Sequence, residues 1–472
     1  MKKDKIIHLI IGPALFAVCC IALPSAVFDT LAAKAAIGTV VWLAYWWVTR
    51  PVDLAVTAFL PIVINAFISM NTMSTVIANY FSETIILLFG SSILSVSMEI
   101  TGLDKRIAAK FLGIIGENLR LQLIFWFVLS TALSALLPNA VVCATITPIA
   151  VSMLKFAGEG DIKTSKIGSK LLLYIAYAVG VGGLFSPLGG AMNLVTVDYL
   201  QQVTGQEFMY FVWVIRFLPI MIVLLVSNII FMLRNVKKTD ALPGSKEYFR
   251  EEYKKMGKMT KEEKWSLALF VIATALAFTR SLYQKLLPDL KPAYIFLLCA
   301  IISFLITNKE HERIMSWKQV QGKIVWELIF VFAGGLAAGS LINGSGASDA
   351  IGALVAGMGL KGGILSVFAI VALTLILSDV TSNTATAAVA IPIVISIVQG
   401  LDLNPIPWIY IATIGVNLSY MLPTSIRAIP VGYGLEPKYM LKEGWKLSII
   451  VIVLMTVTAY LLLKYWPAFS TI

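Results

Sequence analysis

Apolar residues run along this chain in long blocks separated by short polar stretches, and many blocks approach the ~20 residues that let one helix cross a bilayer. The pattern predicts spanning helices near 6–23, 36–48, 53–70, 84–100, 170–200, 209–233, 265–286, 293–307, 325–342, 405–435 and 446–463. Two more apolar stretches, 121–157 and 364–399, are interrupted in mid-run by polar residues. In the second, "SDVTSNTATAAVAIPIV" sets Asp379, Ser382, Asn383, Thr384 and Pro392 between strongly apolar flanks. Polar backbone at membrane depth is tolerated only where protein buries it or a cavity hydrates it. Each interrupted stretch therefore reads as a re-entrant hairpin that enters and leaves on one side.

Composition agrees with this all-α polytopic membrane fold. Of 472 residues, 58% are hydrophobic and only 13% charged, with a mean hydropathy of +0.86; soluble domains carry about 25% charged residues. The apolar run after "MKKDK" reads as an uncleaved first span. Cys19, Cys20, Cys143 and Cys299 lie in apolar segments without metal-ligand spacing, and His8 and His311 lie at span edges. Neither set implies a metal site or a cofactor. The net charge of +11 is distributed by topology and does not indicate a nucleic-acid partner. With two hairpins and eleven spans, 29 of the 37 Lys and Arg fall on one face. Six fall on the other (Lys34, Arg280, Lys285, Lys291, Lys361, Lys464), and Arg216 and Arg427 remain within spans. The basic face, including Lys2–Lys5, Arg50 and Lys309–Lys323, is by this asymmetry cytoplasmic. The N-terminus is then inside and the C-terminus outside.

One fixed offset, 244 residues, superposes the two halves. "ETIILLFG" (83–90) falls on "ELIFVFAG" (327–334), pairing Glu83 with Glu327, and "PNAVVCATITPI" (138–149) falls on "SNTATAAVAIPI" (382–393). The expected divisions are N-terminal spans at 1–52, a first inverted repeat at 53–234 and a second at 265–472. A cytoplasmic linker with a surface helix occupies 235–264. The hairpin tips are at 138–140 and 382–384. A second break follows each hairpin, at 186–193 in "GVGGLFSPLGGAMN" and at 423–430 in "NLSYMLPTSIRAIPVGYG". Inverted repeats with discontinuous helices at the midplane are the architecture of secondary transporters. Ser382 or Asn383 can cap the arm behind it, leaving first-turn N–H groups that suit an anion. Two tips facing each other suit a small molecule with two carboxylates. No acidic residue lies at a tip or break except Asp379, so a net positive cavity is expected. An enzyme would need a nucleophile with a base, a carboxylate pair or a metal cluster, which the residues at membrane depth do not offer.

The Ser382-Asn383-Thr384 tip, the "GG…SPLGGAMN" break and the "MLPTS" break resemble the divalent anion/sodium symporter family of dicarboxylate, citrate and sulfate carriers. The resemblance covers nearly the whole chain. It implies a homodimer in the plasma (inner) membrane, with rigid scaffold domains and transport domains that move like elevators. It also implies substrate held between the tips and the breaks by Asn139, Ala140, Pro187, Gly189, Ser382, Asn383, Thr384, Pro423, Thr424 and Arg427, with sodium at the tip–break junctions. The sequence departs from the family pattern at Pro138-Asn139-Ala140, at Gly190-Ala191-Met192 and at Ile426-Arg427-Ala428-Ile429, losing hydroxyl groups. The expectation is a carrier of succinate-, malate-, fumarate- or 2-oxoglutarate-like anions that exchanges them without sodium. In that reading Arg427 stands where the family places a sodium ion. A sodium-coupled di- or tricarboxylate or sulfate symporter is the alternative, and a membrane enzyme a distant one.

Overall fold

The computed structural model describes residues 3–159, 161–308, 311–351 and 362–472. Lys2, Lys309 and Lys361, which the topology above assigns to faces, lie outside the described residues. The described residues are mostly helical, and among them the strand-like pairings are two isolated bridges, Asn118 with Ala241 and Thr307 with Arg313. Eight helices among them are long and apolar enough to cross a membrane. Several of the eleven expected spans are instead short or split. The run at 53–70 forms Leu54–Thr57 and Leu60–Phe67, because Pro61 can open a helix but not continue one. The run at 170–200 forms Lys166–Gly183 and Ala191–Thr204, and the run at 405–435 forms Pro405–Asn417 and Ala428–Gly432. The two interrupted stretches are helix–turn–helix hairpins. The first has arms Leu119–Leu136 and Asn139–Phe156, and the second has arms Ile364–Val380 and Asn383–Gly400. The linker carries a helix at Ser245–Lys255.

Polar residues at block edges start many of these helices by accepting a hydrogen bond from an otherwise unpaired first-turn N–H. Thr30, Ser82, Asn118 and Ser165 each do so. Thr260 and Glu263 form a reciprocal capping box. Large apolar side chains remain exposed on several helices, for example Ile230 at 66% and Leu365 at 79%. Outside water such surface needs no protein partner, which suits contact with lipid.

Long-range ion pairs join segments far apart in the chain. Arg106 meets Glu263 at 2.7 Å, and Arg234 and Lys323 pair with Glu443 and Glu99. All six of these residues belong to the expected cytoplasmic side. Arg280 with Glu207 and Lys291 with Glu83, both at 2.8 Å, join residues of the expected opposite side.

Each broken helix lies against the first arm of its own hairpin through a glycine. A Cβ at Gly182 would strike the Thr131 carbonyl and stand 2.9 Å from the Ser134 Cβ; at Gly415 it would strike the Thr374 hydroxyl and stand 2.8 Å from the Val371 carbonyl. Because backbone cannot yield as a flexible side chain can, overpacking here costs about 1–3 kcal/mol or more. Gly182→Val and Gly415→Val should each lower the apparent Tm in detergent by several degrees, whereas valine at the exposed, contact-free Gly116 should not.

Candidate functional site

The same two bonds recur at the two hairpin tips. In the first, the Ser134 hydroxyl reaches Asn139 Oδ1 at 2.6 Å and the Val179 carbonyl at 2.8 Å. In the second, 244 residues on, the Ser378 hydroxyl reaches Asn383 Oδ1 at 3.1 Å and the Val416 carbonyl at 2.7 Å. The second tip is tied further: Asn383 Nδ2 donates to the Asn417 carbonyl at 3.1 Å, and the Ser419 hydroxyl donates to Asn383 Oδ1 at 3.2 Å. The Asn139 side chain lies against Gly183, whose added Cβ would be 2.6 Å from Asn139 Nδ2. Each tip is thus fastened to the helix that breaks beside it. A second link joins the breaks to each other. Asn417 Nδ2 donates to Asn193 Oδ1 at 2.8 Å, and the Thr196 and Thr413 hydroxyls pair at 2.8 Å.

The caps differ. Ser382 accepts from Ala385 N at 3.2 Å, whereas Pro138 stands in the equivalent place and offers no side-chain cap. Both second arms, 18 residues each, point a helix N-terminus at the tip, and the dipole there favours an anion.

Asp379 and Arg427 both serve the second break. Asp379 Oδ1 accepts from the backbone N–H of Tyr420 and Met421 at 2.9 and 2.8 Å, and more weakly from Leu422 at 3.4 Å. The fully buried Arg427 donates to the Leu422 and Ser419 carbonyls at 3.2 and 3.1 Å and to the Thr424 hydroxyl at 3.2 Å. The two charges do not touch, since no ion pair within 4.0 Å joins them among the described residues. They neutralise one short segment from two sides. The first junction has no such charges, with Ala135 at the position that matches Asp379.

A cavity of about 480 Å³ opens where the tips and breaks converge. Asn139, Ala140, Ser382, Asn383, Thr384, Pro423 and Thr424 line it. Three of the expected site residues do not. Pro187 and Gly189 are buried behind the wall that Leu188 and Gly190 present, and Arg427 turns its guanidinium into the break. The fork of Arg427 is therefore spent on backbone and not offered to a ligand in this conformation. The opposite wall, not anticipated from the sequence, holds Ser91, Ser92, Arg50, Glu99, Lys323 and Glu327. Two basic and two acidic side chains line the cavity, so the expected net positive lining is not found. Attraction for an anion falls to the helix N-termini. In the sequence, only the match of Glu327 with Glu83 hinted at this wall.

With that geometry in view, the chain can be set beside known proteins. A family model described as citrate transporter matches residues 44–415. A sodium-dependent dicarboxylate transporter of Staphylococcus saprophyticus is 29% identical over 477 residues, covering 97% of this chain and 91% of that protein. Proteins of the same name from Staphylococcus aureus are 28% identical over 436 residues, covering 89% and 84%. Among solved structures, the YdaH transporter of Alcanivorax borkumensis has a similar fold, with a TM-score of 0.55 at 11% identity, covering 84% of this chain and 88% of that one.

The second break yields a test. Removing one member of a buried charge set leaves the other uncompensated, at about 3–5 kcal/mol. Arg427→Ala should therefore lower the apparent Tm sharply. Adding Asp379→Asn should cost less than the two single losses summed, the mark of residues that share one structure. Strictly additive losses in thermal-shift measurements would show that the two charges act separately.

Proposed function

This chain belongs to the citrate transporter family, and we propose that it carries small dicarboxylates across a membrane by alternating access to the tip-lined cavity. The observation that carries the reading is the pair of hairpin tips meeting in one cavity large enough for such a molecule. A ligand with a carboxylate at each end can place one at each helix N-terminus, so monocarboxylates such as lactate or acetate should compete poorly. The dicarboxylate named for the staphylococcal relatives fits this arrangement. We read the working protein as a homodimer in the plasma membrane, N-terminus inside and C-terminus outside, with two inverted repeats at 53–234 and 265–472 and re-entrant hairpins.

For coupling, the relatives' names favour the sodium-coupled reading over sodium-independent exchange. The first junction has the oxygens for it. A Cβ at Gly189 would strike the Gly183 carbonyl and lie 2.8 Å from the Ser134 carbonyl, and Ser134 also holds Asn139 Oδ1. Sodium, as co-transported cargo, could be held by these hard oxygens. The exchange reading rests on Arg427, whose guanidinium already occupies the carbonyls of the second break. One point counts against exchange. Asp379 is buried in the same break, so an empty site returning across the bilayer does not carry Arg427 as a lone charge.

Uptake of labelled succinate into proteoliposomes separates the two. Sodium-coupled transport should fill empty vesicles in sodium buffer and fail in choline. Exchange should need internal dicarboxylate and ignore the cation. Asn139→Ala and Asn383→Ala, each losing bonds that hold a tip, should lower uptake about 10-fold or more, as expected for ~1.5–3 kcal/mol, while the protein still elutes as a folded species. Unchanged uptake in both would remove the tips from the site.

A further inference from the structure

Polar bonds sort the helices around the cavity into two groups. The hairpins and broken helices form one, and the helix Tyr210–Leu233 joins it. Trp213 Nε1 donates to the Leu184 carbonyl of the first break at 2.8 Å, and Asn228 Nδ2 reaches the Tyr420 hydroxyl of the second at 3.4 Å. The helices Glu83–Thr101, Lys261–Phe278 and Pro292–Ser303 form another group, packed on one another, with the Ser97 and Ser266 hydroxyls paired at 2.6 Å. Among the described residues, one ion pair joins the first group to the second, Glu207 with Arg280.

Glu207 lies in the turn between Ala191–Thr204 and Tyr210–Leu233, so the first broken helix carries it. The turn is fastened to that helix: the Phe208 N–H donates to Gln201 Oε1 at 3.1 Å, and the buried Phe208 ring meets Trp213 edge-on. Arg280 follows Lys261–Phe278 and is 2% exposed. Its Nε and Nη2 reach the two Glu207 oxygens at 2.8 and 3.2 Å, the bidentate form that makes such pairs strong. Its Nη1 and Nη2 also donate to the Leu287 and Pro288 carbonyls at 2.9 and 2.5 Å.

The partners differ in a way that suits a bond able to open. Parting a buried pair is costly chiefly when it strands an unpartnered group. Without Glu207, Arg280 keeps two backbone acceptors of its own group. Without Arg280, the Glu207 side chain, 24% exposed, can turn to water. Other bonds from the hairpins, such as the Thr145 hydroxyl to Asp104 at 2.9 Å and Ser396 with Ser348 at 2.8 Å, go to stretches that lead into a hairpin and can travel with it. The pair also lies away from the cavity mouth. Arg50, Glu99 and Lys323, of the expected cytoplasmic side, line the cavity, whereas Glu207 and Arg280 belong to the expected opposite side.

We propose that Glu207 and Arg280 form a clasp that holds the tip-and-break unit in the position seen here, and that the clasp parts each time the unit carries substrate across. The inference deepens the carrier reading and rests on it.

A reversible cross-link tests it. In a transport-competent background lacking the four native cysteines, Glu207→Cys and Arg280→Cys are joined by a bifunctional methanethiosulfonate reagent. Joining should lower uptake of labelled succinate at least tenfold, and reductant should restore it to within about twofold. The single variants, treated alike, should show neither change. Cross-linked protein that transports at its untreated rate overturns the proposal. A substrate-free readout covers a cysteine pair that folds poorly. Ser92→Cys, on the cavity wall, reports through its labelling rate with a water-soluble maleimide in detergent. Glu207→Gln and Arg280→Gln should each slow that labelling at least twofold, because the position that opens the cavity to Ser92 loses its clasp. The double variant should be no slower than the slower single one. Rates unmoved by all three overturn the clasp. Failure of the untreated protein to take up any dicarboxylate would sink the carrier reading without touching the labelling result.

Discussion

A helix interrupted in hydrocarbon leaves backbone N–H and C=O groups that neither lipid nor water can satisfy, and the rest of this structure follows from that constraint. The four interruptions solve it together. Ser134 and Ser378 reach the carbonyls of Val179 and Val416 near the ends of the breaking helices, and the same hydroxyls hold the asparagines that start the hairpins' second arms. Asp379 takes the free N–H groups of 420–422 and Arg427 the free carbonyls of 419 and 422. The polar residues at these places are therefore structural first. Their grouping leaves two helix N-termini facing one cavity, and that by-product is what a dianion can use.

The two junctions solve the problem differently. The first uses neutral groups, with close approach made possible by Gly183 and Gly189. The second uses a buried acid and a buried base. A charged solution is costly unless both members are present and hydrogen-bonded, and here each is bonded to backbone of the same short segment. The first junction therefore keeps neutral oxygens, whereas the carbonyls of the second are already taken by a guanidinium.

Much of this was legible in the sequence. Hydropathy marked the helices, and the offset of 244 marked both tips, because Asn139 and Asn383 must recur where the same local bonds recur. Direction was not legible. Hydropathy registers that Arg427 lies at depth but not which way its side chain turns, and the guanidinium turns into the break and not the cavity. The opposite wall was invisible for a related reason. Ser91, Ser92 and Glu99 sit on an ordinary-looking apolar helix, and only its packing brings that face to the tips. The net charge of the cavity was misjudged because half of its lining was unseen.

The same bonds bear on how the cavity can change sides. Parting a tip from its broken helix would strand buried asparagine, serine and backbone groups, each at about 1–3 kcal/mol, and would do so at both junctions. The two broken helices are themselves joined through Asn193–Asn417 and Thr196–Thr413. Between this bonded unit and the helix Trp326–Gly344 the contact has another character. Gly335 meets Ala388, so closely that no Cβ would fit, and Gly339 meets Tyr199, whose buried hydroxyl makes no hydrogen bond. Small apolar residues present little to unlock when two surfaces shift, and no buried polar bond must break along them. The cheaper motion therefore keeps tips and breaks together and slides them as one body past that helix. The polar bonds set which groups hold together, and the glycine and alanine surface is where they are least tied to the rest.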